Sequence, residues 1–510
     1  MKVTQAQMVH PRARLPACKE RDPIVKRPMI AACAVLVAAA GCVTQSEQHL
    51  RENAARVEQT YRHRPEARTE AQAAEPLPAL DPGAALADYL EYAALANPGL
   101  EAAFYRWRAA VERIPQARAL PEPQFTYRYY IREVETRVGP QRQAFGLRQT
   151  VPWPAKLQHR AGEAAEAARA ARARYEAARD RLFYRVKQAY CEYYYLKRAI
   201  DLVRQNRDLV RYLEGVARRR YAAAAAGHPD VIRAQVELGK LDDRLRTLEA
   251  LRQPTASGLN AALGRPTLKP LPWPTRIPHE RLAADDEALL AWLREHNPEL
   301  AAYRHRIAQA ERGVRLAEQN YYPDATVGIQ HIQTDEALLP GVRDSGKDPV
   351  IAMFSVTLPV WYEKYDAALR EARARHWETM HSRAERENVL AAEVRMVLYH
   401  VRDAARKIDL YGDTLVPKAR QSLKATEAAY RAGEANFVDL VDAERVLLEF
   451  QLAHQRALAD HAIRLAKLRM LVGRPLSADE SENNHDDKPA GKEAGEPENP
   501  EPNVPKGEKP

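Results

Sequence analysis

Lys26 and Arg27 stand before an apolar run, Met29 to Ala40, that closes in Ala39-Ala40-Gly41-Cys42. A basic head, a short apolar stretch and small residues before a cleavage point make a secretory signal. A cysteine directly after those small residues is where a lipid would be attached. Cys42 is therefore the expected lipidation site, residues 1–41 the signal and 42–80 a lipidated N-terminal segment; ordinary cleavage near Ala40 is the alternative. The run is too short to span a bilayer as a helix, so acyl chains would be the anchor. Val43 is not the Asp used for inner-membrane retention, which points to the outer membrane. Residues 1–24 are an odd preface to such a signal, so the true start is expected near 25–29.

Little else in the chain has the spacing of a reactive centre. Once Cys18 and Cys33 leave with the signal and Cys42 is modified, Cys191 remains, in a Tyr-rich helical stretch where it reads as a small packed side chain. His305, His376, His381 and His400 lack ligand spacing. There is no phosphate loop, Gly-x-Ser-x-Gly, His-Glu-x-x-His or paired-Cys motif, so neither catalysis nor a cofactor is expected. The net charge of +9 could suit nucleic acid. However, Arg172, Arg174, Glu176, Arg179, Asp180 and Arg181 alternate in sign as on a solvated helix face, and no nucleic-acid-binding motif is present.

The elements that must position these residues come in duplicate. Asn97-Pro98 recurs as Asn297-Pro298, Leu120-Pro121-Glu122 as Tyr322-Pro323-Asp324, and Thr150-Val151-Pro152 as Thr357-Leu358-Pro359. Tyr221 with Asp230 recurs as Tyr430 with Asp439, and Leu263-Gly264-Arg265-Pro266 as Val472-Gly473-Arg474-Pro475. Five markers in one order, about 200 to about 209 residues apart, exceed any solenoid period of roughly 20–50 residues. Two structural halves follow, 81–266 and 267–476, with a polar, disordered tail over 477–510. From Ala155 to Ala226 there is no proline, and Leu182, Ala189, Leu196, Val203, Val210 and Ala217 recur every seven residues beside Val186, Tyr193 and Ile200. Such a repeat predicts a long helix in a left-handed supercoil. The second half repeats it over 362–431 with a kink expected at Gly412 and Pro417, and shorter helices are expected over 229–262 and 436–471.

Between the helices the period changes to two. Phe125, Tyr127, Tyr129 and Ile131, then Phe145, Leu147, Gln149 and Val151, predict two strands in the first half; Val327, Ile329 and His331, then Ala352, Phe354, Val356 and Leu358, predict two in the second. Four strands cannot close a barrel, and a membrane tolerates no open strand edge. Since the smallest single-chain barrels need about eight strands, several copies must share one barrel, or the sheet is soluble. Aromatics at the strand ends, Tyr321-Tyr322, Trp153 and Trp361-Tyr362, favour the membrane.

The ordered duplication, with Tyr430-Arg431-Ala432-Gly433 and Val438-Asp439-Leu440-Val441-Asp442-Ala443-Glu444, resembles the TolC-type outer membrane factor family over roughly 81–476. The resemblance implies a mainly α fold with a small β part. Duplicated long-helix coiled-coil halves and four strands per protomer would form a homotrimer, with a 12-stranded transmembrane β-barrel and an α-helical periplasmic tunnel. It implies a passive exit duct for metal ions or drugs, served by a periplasmic adaptor and an inner-membrane pump of RND type. The entrance would lie at the helix junctions 221–233 and 430–444. Asp439 and Asp442 would line its constriction, and Tyr430 bonded to Asp230 would latch it. Where the family carries a helping Arg, this chain has Ala435, with Arg431 and Glu434 nearby. A periplasmic coiled-coil structural lipoprotein or adaptor, or a type I secretion duct, are the other readings.

Overall fold

The computed structural model describes residues 45–62, 77–224, 227–278, 280 and 282–476. Cys42, the expected signal and the 477–510 tail lie outside the described residues. In chain order the elements are α1 (Gln45–Arg62), α2 (Leu86–Ala96), α3 (Pro98–Val111), α4 (Arg113–Arg118), β1 (Gln124–Val134), β2 (Gln141–Val151), α5 (Pro154–Ala222), α6 (His228–Ala250) and α7 (Arg252–Leu263). There follow α8 (Asp286–His296), α9 (Pro298–Gln319), β3 (Ala325–Thr334), β4 (Val350–Val356), α10 (Tyr362–Asp409), a π-helical turn (Leu410–Leu415), α11 (Val416–Ala432) and α12 (Phe437–Val472). The described residues divide into two units, one drawn from 45–56, 109–168 and 308–375, the other from 57–108, 169–307 and 376–476.

The first unit holds one antiparallel sheet in the order β1-β2-β3-β4. Period-two alternation and Gly/Pro turns place its strands where the sequence suggests. Gly139 fits the first hairpin because its φ is +132°, and a Cβ there would come within 1.7 Å of the Asp335 carbonyl oxygen. The two hairpins are thereby pressed together, and Arg142 ties them by bonding Glu133 and Asp335, each at 2.7 Å.

The second unit is a helical bundle whose heptad residues do what their spacing predicts. Leu182, Val186, Tyr193, Leu196, Ile200, Val203, Val210 and Ala217 are all buried. The duplicated markers turn out to be one joint made twice. Asn97 caps α3 by accepting the Leu100 N–H at 3.1 Å and donates to the Ala262 carbonyl at 2.9 Å. Asn297 accepts the Leu300 N–H at 3.0 Å and donates to the Leu471 carbonyl at 2.8 Å. Gly264 and Gly473 end their helices at φ +75°, so close to Ala96 and His296 that a Cβ would meet a carbonyl oxygen at 2.5 Å. The following arginines cover the Tyr92 and Trp292 rings, at 5.6 and 4.4 Å. Asn-Pro and Gly-Arg-Pro recur together because they are two sides of this contact.

Two helices differ from expectation. The segment 229–262 is two helices, α6 and α7, meeting at Leu251, where Pro254 in the next turn lacks the N–H that would carry the ladder through. The kink at Gly412 and Pro417 is a π-helical turn, in which Val416 N–H reaches back five residues to the Tyr411 carbonyl. It absorbs the donor missing at Pro417 without ending the helix.

Candidate functional site

Within the helical unit, α5, α6, α11 and α12 bury Leu213, Ala217, Val231, Leu423, Phe437 and Leu440 in one cluster that sets the junction residues. Gly433 at φ +86° ends α11. Asn436 starts α12 by accepting the Asp439 N–H at 2.9 Å.

Tyr430 is buried, edge-on to Phe437 at 5.6 Å between centroids, with the Arg220 guanidinium 4.6 Å over its ring. Burial, and next the charge of Asp230, push its hydroxyl above the ordinary tyrosine range. The structure thus brings Tyr430 up to Asp230, yet the hydroxyl completes no hydrogen bond of acceptable geometry. Asp230 itself sits in the first turn of α6, 3.7 Å from Arg233. Two arginines lie near Ala435 in the chain or the fold: Arg220 covers Tyr430, and Arg431 bonds the Tyr212 hydroxyl on α5 as well as Glu427.

Asp439 and Asp442 are both exposed, one turn apart on α12. Asp442 has Arg445 at 3.6 Å, and Arg445 also bonds the buried Glu237 of α6. Burial works against the Glu237 charge, but the Arg445 guanidinium outweighs it and holds the carboxyl below its usual range.

Beside this pair lies a group that motif reading missed. Glu444 is fully buried, neither carboxylate oxygen has a hydrogen-bond partner, and burial first, then Glu237, push it up to about 8. The signal was available: Phe437, Leu440, Val441, Glu444, Leu447 and Leu448 follow helical spacing, so Glu444 stands in the apolar stripe. Burial also pushes the Cys191 thiol up to about 12, leaving it a packed side chain. Among the described residues no three His, Cys, Asp or Glu side chains gather as metal ligands would, and no helix is long and apolar enough to cross a membrane.

Within the sheet unit, the register sorts the side chains. Phe125 lies opposite Leu147, Leu147 opposite Ile329, and Ile329 opposite Ala352; Tyr127 opposite Phe145; Val327 opposite Phe354. Directly paired residues share a face, so one face is mainly aromatic and aliphatic, with Gln143, Gln149 and His331 among these residues. The other carries Thr126, Arg128, Arg148, Thr150, Thr326, Gln330 and Ser355 with Ile351 and Met353. Both outer strands are open, and β4 is exposed at every position. At the strand-to-helix rim Trp153 stacks on Tyr322, centroids 5.2 Å apart. Lys156 is buried and donates to Asp324 and to the Tyr322 carbonyl, each at 2.8 Å. Burial opposes the Asp324 charge, but Lys156 and the Trp153 N–H hold its carboxyl below the usual range.

Residues 289–474 match the family described as outer membrane efflux protein. No curated protein matches the sequence. Among solved structures, the outer membrane protein VceC of Vibrio cholerae is 20% identical with a TM-score of 0.63, over 77% of this chain and 97% of its own. The CmeC outer membrane channel of Campylobacter jejuni is 14% identical with a TM-score of 0.64, over 78% and 88%. The MtrE outer membrane channel of Neisseria gonorrhoeae, in its open state, is 18% identical with a TM-score of 0.63, over 77% and 89%. At such identities the likeness is one of fold.

Proposed function

We propose that this chain, a TolC-type outer membrane factor by its efflux-protein domain and its fold, is the outer membrane duct of a tripartite efflux system. It is a channel and not an enzyme. It works as a trimer with a periplasmic adaptor and an inner-membrane pump, which supplies the energy.

The sheet carries this reading. Four strands with two open edges and one apolar face form a segment of barrel rather than a finished structure, and three copies supply the twelve strands that remove every edge. The face of Phe125, Phe145, Leu147, Val327, Ile329 and Phe354 meets lipid; the face of Arg128, Arg148 and Gln330 lines the water-filled lumen. On α10 Val389, Met396 and Tyr399 are exposed, a cost for a lone chain that packing against a second copy removes.

Further parts of the reading rest on sequence and on the junction geometry. Cys42 carries the lipid anchor. Asp439 and Asp442 of three copies form two carboxylate rings at the periplasmic entrance, and Tyr430 with Asp230 keeps it shut. The pump is of RND type, and the cargo is metal ions or drugs. Expression of the full chain in a Gram-negative host tests the duct: the outer-membrane fraction should contain a detergent-resistant trimer that forms ion-conducting pores in planar bilayers. A monomer without conductance would return the chain to the class of structural lipoproteins. Cys42→Ala should abolish labelling by a radioactive fatty acid and weaken anchoring while leaving some trimer; unchanged labelling would exclude Cys42 as the site.

A further inference from the structure

The duplication makes the contact between the halves a template for the contact between copies. Inside one chain β2, which ends the first strand pair, lies beside β3, which begins the second. In a closed barrel β4, which ends the second pair, must lie beside β1 of another copy. The joint between β2 and β3 is completed at its rim by the Trp153 ring on Tyr322, the Trp153 N–H donating to Asp324, and Lys156 donating both to Asp324 and to the Tyr322 carbonyl.

The second half carries the same parts without their partners. Pro152 corresponds to Pro359, and with Val360 as an extra residue Trp153 and Lys156 correspond to Trp361 and Lys364. The local backbone agrees: Lys156 N–H donates to the Trp153 carbonyl at 2.9 Å, and Lys364 N–H to the Trp361 carbonyl at 3.1 Å. Pro323 corresponds to Pro121, so Tyr322 and Asp324 correspond to Leu120 and Glu122. Lys156 is buried in its joint, whereas Trp361 is 75% exposed and Lys364 and Glu122 are exposed as well. Among the described residues the Lys364 ammonium meets only the Tyr365 ring, at 5.7 Å, and Glu122 has no ion-pair partner.

We infer that β4 pairs with β1 of a second copy in the register of β2 on β3, setting Ser355 opposite Thr126 of the partner subunit, and that Lys364 seals this joint on Glu122 of the partner subunit. Carried over from the pairs Arg148–Gly328 and Leu147–Ile329, the register also sets Phe354 opposite Tyr127 of the partner subunit and Val356 opposite Phe125 of the partner subunit. The two prolines alone set this alignment. Nevertheless it joins apolar face to apolar face, which a slip of one residue would reverse. Trp361 then rests where Trp153 rests, on Leu120 of the partner subunit, and the longer Glu122 spans the gap opened by Val360.

The inference rests on the trimeric-barrel reading, and its test separates the two. Within one chain Thr126 and Ser355 lie on opposite edges of the sheet, about 14 Å apart across three strand spacings and offset by a further four residues, about 13 Å, along the strand, beyond the reach of a disulfide. Oxidised S355C/T126C should therefore run, after denaturation without reductant, as covalent multimers, and S355C/R128C should not. Zero-length carbodiimide coupling of the unsubstituted trimer should yield a Lys364–Glu122 cross-linked peptide between copies. K364E and E122K should each cause loss of the detergent-resistant trimer band, and K364E/E122K should recover it. A trimer whose cysteines link in the shifted pair overturns the register, and one that yields no Lys364–Glu122 peptide and no recovery overturns the seal. Absence of any trimer in the unsubstituted protein overturns the duct reading itself.

Discussion

Glu444 shows how one side chain can make the junction of α6, α11 and α12 sensitive to pH. Its carboxyl is enclosed without a partner and pushed up to about 8, so at neutral pH it is held uncharged. In the unfolded chain it titrates near the ordinary carboxylate value of about 4.3. Between those values the folded protein holds a proton that the unfolded chain releases. The stability this contributes is fully present below about pH 4 and is lost as pH rises through about 8. Glu444→Gln keeps the neutral shape and removes the titration. Thermal melts of the variant should therefore decline less between pH 5 and pH 9 and lie higher at pH 9, by up to about 2–4 kcal/mol per protomer at roughly 1.4 kcal/mol per unit. Parallel melting profiles for parent and variant would place the neutral carboxyl elsewhere.

At the scale of the elements, the proposed lipid-facing side of the sheet should reject charge where the other side accepts it. Phe125→Arg and Phe354→Arg each put a charge on the face assigned to lipid, at about 2–4 kcal/mol near the bilayer midplane. Thr126→Arg adds its charge beside Arg148 and Gln330 on the other face. Trimer yield in the outer membrane should fall for the two Phe variants and hold for Thr126→Arg; equal yields for all three would mark a soluble sheet. The helices keep their own records of strain. The π-helical turn stands where Pro417 removes a donor, and a Cβ at Gly412 would come to 3.0 Å from His454 Nε2, a tight contact to which the imidazole would have to yield.

For the whole molecule, threefold assembly would turn each exposed acid of α12 into a ring. Reconstituted channels should prefer cations and be blocked from the periplasmic side by multivalent cations, since clustered carboxylates in a narrow passage hold counterions strongly. Asp439→Ala with Asp442→Ala should weaken both effects, Asp439 more than Asp442 because Arg445 already sits beside the latter. Asp230→Ala and Tyr430→Phe should instead raise conductance by loosening the closed entrance, so single-channel currents separate charge selection from latching. Unaltered selectivity and block in the double variant would place the constriction elsewhere along the duct.

Much of this protein is decided locally. Heptads, period-two runs, the Asn-Pro and Gly-Arg-Pro markers and the duplication are written in spacing, because helix and strand periodicity follow from backbone geometry alone. They were enough to place the long helices, the four strands and the shortfall that demands more than one copy. Residues whose meaning depends on distant neighbours could not be placed that way. Which sheet face is apolar required the register of Phe125 on Leu147 and Leu147 on Ile329, since alternation defines two faces without saying how strands align them. The Lys156–Asp324 joint, the contacts of Arg220 with Tyr430 and of Arg431 with Tyr212, and the Glu237–Arg445 pair around Asp442 each join residues far apart in the chain. Only tertiary packing brings such charges close enough to interact, and only burial there makes a carboxyl such as Glu444 keep its proton.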